Sequence, residues 1–236
     1  MIAQPPTTGA AGPAKDDRDG SLLPLLVVLT VVTGLVDAVS YLKLGHVFVA
    51  NMTGNIVFLG FAVAGAEGFS VSASLVAIAA FMAGALAGGR LGSSLADHRT
   101  RFFSIAVLVQ LGLVGIALAV SIVVSDANFA QYGLIVLLAL AMGLQNAAAR
   151  FLAVPDLTTT VLTLTLTGLA ADSTWAGGRN PRAGRRLLAT GAMLSGAAVG
   201  AFLVLQVGLV AVLALTLALL GANAIVAYRS WPRSAG

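Results

Sequence analysis

Charge is what this sequence has least of. Only 9% of its 236 residues are Asp, Glu, Lys or Arg, while 58% are apolar. A soluble globular domain carries roughly 25% charge and 45–50% apolar residues. A soluble enzyme is therefore excluded, and disorder, collagen and coiled coil fail on the same figures. Cysteine is absent, which removes disulfides, thiolate metal sites and thiol nucleophiles. Histidine is nearly so: His46 and His98 lie far apart, near loops, and make no ligand pair. No His-Glu zinc motif, Ser/His pair, paired carboxylate or Gly-Lys phosphate loop occurs, so neither catalysis nor a cofactor or metal is expected.

What is present is long apolar sequence, with a mean hydropathy of +0.98. The runs are rich in Leu, Val, Ala and Gly and lack strict alternation, so they predict membrane helices rather than a barrel. Eight segments can be counted, at 21–42, 47–65, 71–92, 103–124, 130–151, 155–171, 187–206 and 208–228. Residues 1–20 and 230–236 read as polar cytoplasmic tails; the first holds Pro5, Pro6 and a mixed charge run from Lys15 to Asp19, unlike a signal peptide. The net charge of +4 reflects basic loops rather than nucleic-acid binding.

The positions of the basic residues choose between topologies. If all eight segments cross, starting inside, eight basic residues fall inside and five outside. If the second and sixth segments enter and leave on one side, only Lys43 falls outside and the other twelve fall inside. Short bacterial loops follow the second pattern. The same two segments are unusual in content. The second carries Asn51, Thr53, Gly54 and Asn55; the sixth opens on Pro155 and Asp156 and continues through Thr158, Thr159 and Thr160. Non-helical backbone at membrane depth survives only inside protein or along a cavity. The expected fold is all-α, with six transmembrane helices and two re-entrant or broken helices, in the bacterial inner membrane with both termini cytoplasmic. The alternative is eight helices in two parallel four-helix repeats. Residues 161–167 alternate with a period of two, but a lone strand in lipid leaves its backbone unpaired, so a helix is expected there too.

The chain also repeats itself. Gly34-Leu35-x-Asp37-Ala38 recurs as Gly143-Leu144-x-Asn146-Ala147, Val49-x-Asn51-x-Thr53 as Val154-x-Asp156-x-Thr158, and Gly84-Ala85-x-Ala87-Gly88 as Gly196-Ala197-x-Val199-Gly200. The offsets are 109, 105 and 112, in order along the chain. Two repeats are expected, over 21–124 and 130–229. With three crossings each, the second is inverted relative to the first, which places a substrate path at the midplane.

Intramembrane polar residues are the candidate path. Asp37 costs about 2.5–3.5 kcal/mol in hydrocarbon and so faces the interior, as a cation or proton site, a cap on the second segment, or a partner of Lys43. Asn51, Thr53, Gly54 and Asn55 form a polar turn, with Asn51 and Asn55 on one helical face. Gln145, Asn146 and Arg150 follow on the fifth segment, where Arg150 reaches for Asp156 or Asp172 as a gate or a snorkelling anchor. Thr158, Thr159 and Thr160 mirror the Asn/Thr/Gly turn. Gly84/Gly88 and Gly196/Gly200 are close-crossing pairs, either internal or between protomers of a homo-oligomer. Gln110 and Asn223 read as interhelical glue.

The strings Gly34-Leu-Val-Asp37-Ala38…Phe48-Val-Ala-Asn51-Met-Thr53-Gly54-Asn55 and Met142-Gly143-Leu-Gln145-Asn146-Ala…Arg150…Pro155-Asp156-Leu-Thr158-Thr159-Thr160 resemble the two signatures of the YoaK-like family, domain of unknown function 1275. The resemblance runs over about residues 22–228. It implies a six-pass inner-membrane protein, and it brings no activity, substrate or catalytic residue with it. The residues themselves point to movement of a small solute, with the lipid bilayer as partner; the rival is a non-transporting scaffold or partner subunit.

Overall fold

A computed structural model describes residues 22–96, 98–124, 126–152, 162–179 and 183–229. Among these residues the chain is helical throughout, without strands. Six helices are long and apolar enough to cross a membrane: α1 (Leu23–Lys43), α3 (Val71–Ser94), α4 (Arg99–Val123), α5 (Ala127–Leu152), α7 (Ala183–Gln206) and α8 (Leu209–Arg229). Two are short, α2 (Met52–Val63) and α6 (Leu162–Ala171). At 1.5 Å per residue these two reach about 18 and 15 Å, half of a ~30 Å hydrocarbon core. From Leu162 onward the alternating stretch is helical, and Thr167 Oγ1 donates back to Thr163 O at 2.8 Å.

Local chemistry sets the ends. Pro24 sits in the first turn of α1, where its missing N–H costs nothing. Beyond Lys43 the chain reverses through Gly45 (φ +89) and His46 (φ +55), both left-handed. Asn51 Oδ1 accepts from Gly54 N and starts α2, and Ser70 Oγ accepts from Ala73 N and starts α3. Asp126 Oδ1 accepts from Phe129 N at the start of α5.

Segment 46–68 leaves and returns at one end of the bundle. His46 Nδ1 lies 2.9 Å from Gly68 O, so the two ends of the excursion touch. The carbonyl only accepts, so Nδ1 carries the proton of this bond. At the same end Gln131 Nε2 donates to Leu44 O and Tyr132 bonds Ser72 through their hydroxyls at 2.7 Å. Arg99 caps the last turn of α5 by donating to Leu152 O at the opposite end. There Asn223 Nδ2 also reaches Leu25 O, as expected of glue, and Arg186 Nη1 pairs with Asp172 Oδ2 at 2.7 Å.

The most extensive pairings are α3 with α5 and α1 with α7. Both are glycine seams. A Cβ on Gly34 would lie 2.5 Å from Met193 O and 2.6 Å from Ala197 N; one on Gly143 would strike Phe81 O and lie 2.8 Å from Ala85 N. From the other side, Gly196 abuts Val31 and Gly84 abuts Leu140. Numbers rise together across each seam, so α1 runs parallel to α7 and α3 parallel to α5. The Gly84/Gly88 and Gly196/Gly200 faces thus pack within the chain. Such seams let dispersion act between backbones, the main attraction between helices in lipid.

Candidate functional site

A half-open cavity of about 360 Å³ lies at mid-height of α1 and α7, beside the two short helices. Thr33 and Met193, midway along α1 and α7, form its floor. Both short helices begin at it: Asn51, Thr53 and Gly54 from the start of α2, Leu162 and Thr163 from the start of α6. Val57 and Phe58, one turn further along α2, add an apolar wall. Asp37 completes it, one helical turn beyond Thr33 on the same face of α1.

Asp37 is 4% exposed. Its Oδ1 accepts from Val49 N at 3.2 Å and Ala50 N at 2.9 Å. These amides belong to the non-helical segment ahead of α2, where no strand supplies acceptors. The carboxylate therefore fixes this segment, the capping role weighed above. Oδ2 has no donor among the described residues, and Lys43 is exposed rather than paired with it.

Asn55 departs from expectation. The four-residue spacing from Asn51 placed it on the path, yet it is fully buried and turned away from the cavity. Its Oδ1 accepts from Phe48 N at 2.8 Å and its Nδ2 donates to Phe48 O at 2.6 Å. The amide thus stands in for a neighbouring strand, satisfying both backbone groups of Phe48.

Gln145 is also buried and lies beside the cavity rather than on it. It accepts from Gln110 Nε2 at 2.6 Å and donates to Thr33 Oγ1 at 2.8 Å and Leu29 O at 3.2 Å. Three helices, α4, α5 and α1, are joined by this relay, and Gln110 is the glue it was read as. Asn146, matched in sequence to Asp37, donates back to Met142 O on its own helix. Arg150 is exposed, and Asp172, one of the two carboxylates considered for it, pairs with Arg186. Asp156, Thr158, Thr159 and Thr160 lie outside the described residues. Of the expected path residues, then, Asp37, Asn51, Thr53 and Gly54 meet, while Asn55, Gln145, Asn146 and Arg150 do not join them. Thr33, Phe58, Thr163 and Met193 were not among those expected. Among the described residues no group of three metal-ligating side chains occurs.

Residues 25–226 match the family described as protein of unknown function (DUF1275). The chain belongs to that family. It is also 37% identical over 150 residues to the UPF0700 transmembrane protein YoaK of Bacillus subtilis (strain 168), a match that covers 63% of this chain and 65% of that one. This chain therefore spans just under two thirds of the length of that relative. No solved structure matches. The DUF1275 match takes in all eight helices up to the last turn of α8, including both glycine seams and every described wall of the cavity. This is a multi-pass membrane protein of an uncharacterised family.

Proposed function

We propose that this DUF1275 chain moves a small solute across the bacterial cytoplasmic membrane through the central cavity. The observation that carries the reading is the cavity's place: midway along the long helices α1 and α7, at the shared starting point of two half-length helices, with a buried carboxylate on its wall. Discontinuous helices meeting at the midplane are a recurring way to build such a path. Asp156 and Thr158 to Thr160 lead into α6 and belong to the same path in this reading. With the basic loops inside, both termini are cytoplasmic, and Lys43 and Glu67 face outward.

The reading includes an inverted duplication. Gly34 and Gly143 differ by 109 residues, and the carbonyls they meet, at Met193 and Phe81, differ by 112. Gly196 on Val31 and Gly84 on Leu140 repeat the same two offsets. Helices α1, α4 and α7 run one way while α3, α5 and α8 run the other, which supports a two-fold axis in the membrane plane. In this reading each repeat lends one long helix to the other: α7 backs α1, and α3 backs α5.

A native absence of cysteine makes the test direct. Thr53→Cys in sealed proteoliposomes should react with an impermeant thiol reagent added from either side, since a path must open alternately to both. A buried control, Val114→Cys, should react from neither. Reaction of Thr53→Cys from one side only, or from none, overturns transport. It would favour the scaffold reading, which the hydrogen bonds of Asp37 and Asn55 to the loop backbone also suit.

A further inference from the structure

We infer that the solute is a small organic cation, an ammonium group on a compact apolar body, held with its charge against Asp37. The inference rests on the path reading above and names its substrate class.

Charge comes first. The start of a half-helix ordinarily favours an anion. At α2 part of that tendency is answered from within the chain: Asn51 takes the amide of Gly54, and Asp37 takes the amides of Val49 and Ala50 just before the helix. A carboxylate oxygen, Oδ2, is left without a donor among the described residues, and no Lys or Arg from those residues lines the cavity. The Thr33 hydroxyl cannot donate inward either, because it gives its proton to Leu29 O and accepts from Gln145. The described wall around Asp37 therefore offers a carboxyl group with an unengaged oxygen and no basic side chain, beside the amide of Asn51 and the hydroxyls of Thr53 and Thr163.

Size and surface come next. About 360 Å³ is far more than a bare metal ion needs and lies within the range of small-molecule pockets, roughly 300–1,000 Å³. A metal ion also wants several oxygen ligands converging on one point, whereas among the described lining residues Asp37 is the one carboxylate and stands with Val57, Phe58, Leu162 and Met193 as well as Asn51, Thr53 and Thr163. The apolar side chains among them suit an alkyl or methylated body. A neutral solute would leave the buried carboxylate uncompensated, and an anion would meet it directly.

The test compares charge at one position. Thr53→Cys and, separately, Thr163→Cys are treated with two methanethiosulfonate reagents of similar size, one bearing trimethylammonium and one bearing sulfonate. Each rate is divided by that reagent's rate with a free thiol in solution. The cationic reagent should be favoured by about tenfold or more, the preference should shrink as salt is raised, and Asp37→Asn should abolish it. Choline should protect the thiol, and its neutral isostere, 3,3-dimethylbutan-1-ol, should not. Equal normalised rates, or a preference for the sulfonate, overturn the cation while leaving the path intact. A preference that survives Asp37→Asn overturns the assignment to that carboxylate. Failure of both reagents to react overturns the path itself. Should Asp37→Asn not fold, the salt dependence and the protection pair decide alone.

Discussion

Adding one methyl group to Gly34 should break the bundle open. A Cβ there falls about 0.9 Å short of the 3.4 Å of an ordinary contact with Met193 O, and Ala197 N stands 2.6 Å away. Both obstacles are backbone of a continuous helix, so no side chain can swing aside. Helix α7 must retreat by nearly an ångström along the seam. Carbon contacts that open by 0.5–1 Å lose about a quarter to a half of their attraction. Overpacked cores lose about 1–3 kcal/mol, and a seam of backbone belongs at the upper end, about 3 kcal/mol. By the usual conversion this lowers Tm by about 6–12 °C for a chain of this size. The assay follows unfolding with a thiol-reactive dye in a Val114→Cys background, whose thiol is fully buried in the native state. Gly112→Ala and Gly221→Ala are the controls: nothing lies within 4 Å of either site, and Ala in a helix is favoured over Gly by about 0.5–1 kcal/mol. A Gly34→Ala protein within about 2 °C of its parent, less than 1 kcal/mol by the same conversion, would refute the seam as a source of stability.

Three further outcomes are expected. Gly143→Ala should lower Tm as much as Gly34→Ala, since it meets Phe81 and Ala85 in the same way; a large difference between the two would argue against equivalent seams. Gln145→Leu should cost about 1–2 kcal/mol in the same dye assay because it strands the Gln110 amide, and Gln110→Leu added to it should restore most of the loss; a double variant weaker than the single would contradict this account. Single cysteines at Lys43, Glu67 and Asp126 should label from outside intact cells, and those at Arg99 and Arg182 should not; labelling at Arg99 without Glu67 would return the eight-crossing topology.

The fold was legible because its exceptions are few. Six helices follow from unbroken apolar runs, and the short lengths of α2 and α6 agree with the two segments that carried Asn, Thr and Pro where lipid tolerates none. What composition could not reveal is where the second segment stops being helix. Residues 47–51 lie in an apolar run, yet they are not helical, and Asp37 and Asn55 supply hydrogen bonds that a helix would have made internally. Asn55 was misplaced for that reason: its spacing from Asn51 describes a helix face, while its amide answers Phe48 behind it. Thr33 could have been found, since it precedes Asp37 by one turn. Met193 could not, because it reaches the cavity only through a seam made between glycines far apart in the chain. Gln145 stood in a string with Asn146 and Arg150, but a helix turns adjacent residues to different neighbours, so one is buried in a relay and another faces outward.

The exchange of partners between the two halves has a consequence for how the protein is made. Gly34 is synthesised early, and the Met193 carbonyl it packs against is added about 160 residues later, some 8–30 s at ordinary elongation rates of about 5–20 residues per second. Throughout that interval α1 sits in the bilayer with its glycine groove open to lipid, and the loop beside Asp37 has no α7 behind it. Helix α3 waits in the same way for α5, though more briefly. Neither half of the chain can be finished before the other has arrived, so the ribosome releases a set of inserted helices, and the cavity is closed last.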